Sequence, residues 1–273
     1  MKSTSEVKNY GLSFSDTPDL GAYVLGGATS LPKEILRPNG DWSQFMPKYE
    51  AQAEKFETWG CTVFGTLNAV EALAELVTGK KYDFSERYIY NLAEIGPGGT
   101  DPHKVCEIVR NEGLIDQELL PMTDTYEEFC KPRPMEAQYE VKGQLFPYTI
   151  GHEYVFRFEF DKTYRTEKIR EALKYSPLGV SVTAWFKDEN GLYVDNGLPN
   201  NHWCVLYGET KNGWKIFDTY DGGHKILSFD HQIQVCKRFS FTKKPKKKNW
   251  LVEFPGVKKI TEILEELVRL IKQ

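Results

Sequence analysis

The sequence predicts an α+β chain, with helices first and antiparallel strands second. Three observations predict it. Apolar residues recur at steps of three and four from Val63 to Val77, the period of one helix face. Later segments alternate branched and aromatic residues, as half-buried strands do. Lys211-Asn212-Gly213 stands between two of those segments as a hairpin turn signal.

In chain order, residues 1–46 are rich in Gly, Pro, Ser and Asp and read as an extended N-terminal arm that packs across the globule. The first long helix opens at Cys61 and stops at Gly79. A second helical piece spans Ser85–Glu94, with Ser85 as its N-cap. The Gly- and Pro-rich run from Gly96 to Pro102 breaks it. A third piece, His103–Asn111, closes at Gly113. Thr125–Pro147 is charged and Pro-bearing, and reads as a connection between two halves. Thr166–Tyr175 reads as a short helix capped by Thr166. Strands are expected at Gly179–Phe186, His202–Gly208, Trp214–Thr219 and Gln234–Thr242. A basic run, Lys243–Lys248, precedes a helix with one apolar face from Val257 to Ile271. The basic run reads as a solvated linker, with a nuclear signal or an anionic-surface anchor as the sharper alternative.

Composition narrows the function classes. The 273 residues carry a net charge of −4, which argues against nucleic-acid binding, since phosphate contacts need a basic surplus. No stretch reads as a membrane span and the start does not read as a signal peptide, so a cytoplasmic location is expected. Five scattered cysteines include no CxxC or CxxH pair, which suits free thiols in a reducing compartment and no structural zinc. The histidines show no HxxxH spacing, so neither metal nor cofactor is expected.

Three residues carry the chemistry. Cys61 follows Thr58-Trp59-Gly60 and opens the best helix. A thiol there feels the positive end of the helix dipole, which favours the thiolate. Gly60 lets a substrate backbone come close. Taken alone, Cys61 is equally a small buried core cysteine. A nucleophilic thiol needs a base, and His202 opens an apolar strand. A base needs an orienter, and Asp218 ends the next strand. Alone, His202 is an ordinary structural histidine and Asp218 a turn residue before Gly222-Gly223.

Together these residues resemble the papain-like cysteine peptidases. Gln52, Trp59-Gly60-Cys61 and the helix behind them resemble that family's glutamine, cysteine and long central helix. Phe84-Ser85-Glu86-Arg87-Tyr88 resembles its Leu-Ser-Glu-Gln stretch. Gly98-Gly99, followed by Pro102 and Gly113-Leu114-Ile115, resembles its substrate-binding Gly-Gly turn and its later Gly-Ile/Val piece. Ile169–Val182 resembles its late helix and strand. Asn201-His202 and Asp218–Gly223 resemble its histidine strand and its Asn-Ser-Trp-Gly stretch. The likeness runs in order from Pro47 to Phe241.

The resemblance implies a papain-like fold: a helical half at 47–135, an antiparallel β half at 136–242, an active-site cleft between them, and 243–273 as an appendage. It implies Cys61 as nucleophile, His202 as base and acid, Asp218 as orienter in place of the usual Asn, and Gln52 as oxyanion donor. Gly60, Gly98, Gly99, Asn201 and Tyr220 would contact a peptide or protein substrate. Gln52 departs from the family by lying nine residues before Cys61, and Tyr220 replaces a Trp. Two other readings fit the same residues. A transglutaminase-like acyl transferase or amidase uses the same Cys-His-Asp set, although the 141 residues from Cys61 to His202 are long for it. A peptide-binding module with a silent triad is the third.

Overall fold

The computed structural model describes residues 8–15, 34–131 and 147–243. The basic run beyond Lys243, the C-terminal helix and most of the expected connection and arm lie outside them. The strongest helical period becomes helix α1, Cys61–Thr78, ended by Gly79 in a left-handed conformation. Every residue from Cys61 to Ala74 is buried, so both faces of α1 are covered, as a helix apolar all round requires. By length and composition α1 could cross a bilayer, but 78% of it is buried inside the protein. It is the core helix.

Three further helices follow. Helix α2, Glu86–Leu92, is capped by the Ser85 side chain, which accepts from Tyr88 N. Helix α3, Pro102–Glu112, is capped by Asp101 and has Pro in its first turn. Helix α4, Tyr126–Phe129, is a single turn capped by Thr125. Then come strand β1, Tyr148–Arg157, helix α5, Lys162–Leu173, and strands β2, Leu178–Val182, β3, His202–Glu209, β4, Gly213–Phe217, β5, His224–Ser228, and β6, Val235–Lys243. The six strands form one sheet in the order β1-β6-β2-β3-β4-β5. β2 runs antiparallel to β3 and β6, β3 to β4, and β4 to β5.

Four expectations need correction. Helix α5 begins earlier, because Asp161 rather than Thr166 caps it, accepting from Tyr164 N at 2.9 Å. β2 ends at Val182, because the next two N–H groups leave the ladder for side chains: Thr183 N donates to His231 Nε2 and Ala184 N to Asn201 Oδ1. β4 ends at Phe217, so Asp218 stands just beyond it, its N–H donating to Gly223 O. β1 and β5 were not expected at all.

One close approach positions the site. A Cβ at Gly65 would lie 2.9 Å from Trp203 Cδ1 and 3.3 Å from Cys204 Cα. A Cβ at Gly179 would lie 2.4 Å from the other edge of the same indole. The Trp203 ring therefore fills the gap between α1 and the sheet, and α1 sits down on β3. The first residue of α1 is Cys61 and the first of β3 is His202. Residues 34–46 pack at the far end of α5, where Trp42 Nε1 donates to Leu173 O and the amides of Leu36 and Arg37 to Lys174 O.

Candidate active site

The thiol of Cys61 is fully buried. It packs in a small cluster with Leu12, Tyr154, Trp203 and Val235. Burial pushes its pKa up and outweighs the hydrogen bond from the Trp203 backbone. The thiolate expected from the helix N-terminus is thus not favoured in this form, because desolvation exceeds what a helix dipole supplies. The turn into α1 is tight: Trp59 has φ 53°, and Gly60 N donates to Thr58 Oγ1.

His202 is fully buried, and its Nε2 lies 2.5 Å from Asp218 Oδ1. Its Nδ1 has no hydrogen-bond partner among the described residues, Cys61 included. Trp185, Tyr220 and Tyr10 surround the ring with centroids 5.6, 5.5 and 5.2 Å away. Asp218 Oδ1 also accepts from Thr219 N, and its Oδ2 is 2.8 Å from Lys225 Nζ. Burial works against the Asp218 carboxylate, but the charges of His202 and Lys225 prevail and hold its pKa below the usual value.

Gln52, despite its distance in sequence, reaches this group. It is fully buried, its Oε1 accepts from Thr219 Oγ1 at 2.7 Å, and its N–H donates to Thr219 O. The amide end, Nε2, donates to Glu57 Oε1 at 3.2 Å and to the backbone carbonyl of Tyr10 at 3.3 Å. Glu57 also accepts from Tyr220 Oη at 2.8 Å and pairs with Lys8. Burial raises the Glu57 pKa, but these donors together lower it.

The cleft is occupied by the protein's own arm. Tyr10 N donates to Asn201 O, and Asn201 Nδ2 to Lys8 O. On the other wall Thr100 N donates to Gly11 O and Ser13 N to Thr100 O, a parallel bridge between Leu12 and Thr100. Asn9 Nδ2 donates to Gly98 O. The backbones meet so closely that a Cβ on Gly99 would lie 1.9 Å from Gly11 O. Thr100 thus makes the strand-like pairing with the arm, and Gly99 supplies the room. Leu12 enters the apolar cluster around Cys61.

Sequence reasoning missed Lys225, Glu57 and Trp185, none of which sits in a recognisable motif. It also missed a cluster beside the cleft, where ligating atoms of His103, Glu107 and His152 lie within 4.8 Å of one another. The His103–Glu107 spacing on α3 was the available signal. Lys237 Nζ lies 2.9 Å from His103 Nδ1 and 3.3 Å from His152 Nδ1. A lysine donating to both Nδ1 atoms leaves the Nε2 protons facing Glu107, 2.8 Å from His152. Glu107 and Lys237 thus lie against the two imidazoles from opposite ring nitrogens. The bond from His152 lowers Glu107 to about 2, and burial lowers His152 to about 4.

No family model and no curated protein matches the chain. Solved structures do. A digestive procathepsin L2 proteinase from Tenebrio molitor larval midgut is 14% identical, with TM-score 0.60 over 86% of this chain and 78% of that one. The proform of the Amb a 11 cysteine protease, a ragweed pollen allergen, is 17% identical, with TM-score 0.57 over 89% and 67%. A Carica candamarcensis cysteine protease in complex with E-64 is 18% identical, with TM-score 0.55 over 79% and 100%. The chain therefore has the papain-like cysteine protease fold, a helical part and an antiparallel sheet with a cleft between them.

Proposed function

We propose that the chain is a cysteine-type endopeptidase acting on extended peptide or protein segments, and that the arrangement described is its latent form. One observation carries the reading: His202 paired with Asp218 beside the start of α1, with Gln52 directed at a peptide carbonyl. With the arm withdrawn, Cys61 Sγ gives its proton to His202 Nδ1 and attacks the scissile carbonyl carbon. Gln52 Nε2 and the Cys61 backbone N–H, one of the free donors of a helix N-terminus, receive the oxyanion. His202 protonates the departing amine, the C–N bond breaks, and a thioester remains. Water, deprotonated by His202, then releases the acid. Asp218 stays ionised and accepts a hydrogen bond from Nε2–H, which selects the tautomer whose Nδ1 is open for this traffic.

Latency is supported by the arm lying between Thr100 and Asn201 and by the buried thiol. Two of the similar structures are described as precursor forms of cysteine proteases. The test compares the full chain with one lacking residues 1–15 on fluorogenic peptides. Turnover should appear on removal of the arm and vanish with Cys61→Ala or His202→Ala.

The silent binding module has one observation in its favour, the missing Cys61–His202 hydrogen bond. It prevails if neither chain turns over substrate and Cys61 alkylates no faster than the other four cysteines. Transfer to an added amine in place of hydrolysis would instead support the transglutaminase-like reading.

A further inference from the structure

Asp218 stands where the resemblance leads one to expect a neutral amide, and a second residue answers its charge. A bare carboxylate against a buried imidazole stabilises the imidazolium strongly. An imidazolium held too firmly could not take a proton from water during thioester hydrolysis, which needs the neutral ring.

Lys225 faces that carboxylate from β5. The β4–β5 turn runs through three residues with positive φ, Asp221, Gly222 and Gly223 at 52°, 83° and 87°. This tight return sets Lys225 opposite Ile216 and swings its side chain inward, so that the residue is only 3% exposed. Nζ sits 2.8 Å from Asp218 Oδ2 and donates to Tyr220 O at 2.6 Å. The faces of Trp185 and Tyr193 lie 5.3 and 5.7 Å from it. A buried ammonium persists only when paired in this way. The two carboxylate oxygens divide the work: Oδ1 holds His202 and Oδ2 holds Lys225.

We propose that Lys225 is a positioning residue of the active site, and that Asp218 and Lys225 together act as a neutral hydrogen-bond acceptor in place of a side-chain amide. The inference rests on the peptidase reading for its role in turnover, but its electrostatics are testable without turnover. Other ionisable groups around His202 are Cys61 in α1, Cys204 in β3, Tyr10 of the arm, Tyr220 and Asp221 of the β4–β5 turn, and the Glu57–Lys8 pair behind Tyr220. Lys187 lies over the far ring, Tyr193. None of these reaches Asp218 Oδ2 as Lys225 does.

The experiment tracks the C2–H resonance of His202 by NMR through a pH titration of the full chain carrying Cys61→Ala. His202→Gln assigns the signal. Adding Lys225→Met should raise the His202 midpoint by about a unit or more, a tenfold change in proton affinity, and leave His224 unmoved. Lys225→Arg should keep the midpoint near its original place. A shift under about 0.3 unit with Lys225→Met, less than a third of that free-energy change, overturns the proposal. Should that variant fail to fold, Asp218→Asn is compared with Asp218→Asn/Lys225→Met, with Cys61 intact. The double change, which leaves no unmatched charge, should be the more stable and more active of the two; the reverse order overturns the proposal. Absence of turnover in every chain with a normal NMR result would instead fault the peptidase reading.

Discussion

The side-chain amide of Gln52 donates at 3.3 Å to the backbone carbonyl of Tyr10, in a segment that also bonds both walls of the cleft. A peptide carbonyl thus lies where an oxyanion donor is expected, and it belongs to the protein itself. Gln52→Ala leaves the arm anchored by Thr100 and Asn201 but removes a donor from the proposed transition state. Peptide turnover by the activated chain should fall about a hundredfold, mostly in kcat. An unchanged kcat would assign the oxyanion to another donor.

Gly11 is the residue on which seating of the arm depends. Its φ is +105°, a region open to glycine, and a Cβ there would lie 1.9 Å from Trp59 O. Backbone blocks it on that side, and no side-chain shift relieves the clash. Gly11→Ala should therefore unseat residues 8–15 without touching the triad. Cys61 should then alkylate faster than in the parent chain, and peptide turnover should rise. Equal labelling rates in parent and variant would show that the arm does not guard the thiol.

Gly65 tests the seat of α1 on β3. Gly65→Ala adds a methyl 2.9 Å from the Trp203 ring and 3.2 Å from its carbonyl. Overpacking of this kind costs roughly 1–3 kcal/mol. It lifts the helix that carries Cys61, so activity should fall together with stability. A variant as stable as the parent in urea would mean that Trp203 has room to move.

What the sequence disclosed, and what it hid, divides along a physical line. Helix α1, the Ser85 cap and the β3–β4 hairpin are written in local periodicity, capping and turn chemistry, and the fold class was legible from them. Strand β1 was not, because it is buried on both faces and so lacks alternation. Its polar members His152 and Glu153 lie against Glu107 and Arg238 from distant elements. Cys61, His202 and Asp218 stood out because each opens or follows a regular element. Glu57 and Lys225 act only through partners far away in sequence or across a turn. The path of the arm through the cleft depends on backbone bonds to Thr100 and Asn201, which no residue pattern encodes.

A buried set of carboxyls makes stability depend on pH. Burial, reinforced by the charge of Asp83, raises Glu50 to about 7. Burial also holds Glu71 and Glu86 well above the usual carboxylate range, each reinforced by the charge of Glu50. Glu71 Oε1 accepts from Phe84 N at 2.7 Å, while Glu86 Oε2 has no hydrogen-bond partner among the described residues. Above the unfolded value of about 4.3 the unfolded chain has lost these protons and the folded chain keeps them. The folded state then binds more protons, so stability falls as pH rises. His152 and His231, each lowered to about 4 mainly by burial, act in the opposite sense between about pH 4 and 6.5. Their opposing share fades over the next pH unit, and towards pH 8 the buried thiols, raised by burial, add to the decline that the carboxyls set. Between about pH 6.5 and 8 stability should decline by about 1.4 kcal/mol per unit for each carboxyl still protonated. Glu71→Gln keeps an oxygen for Phe84 N and has no proton to lose, so it should flatten that decline by about one carboxyl's share. Urea unfolding at pH 6.5, 7.25 and 8 measures both slopes, and equal slopes in parent and variant would mean that Glu71 is already ionised in the fold.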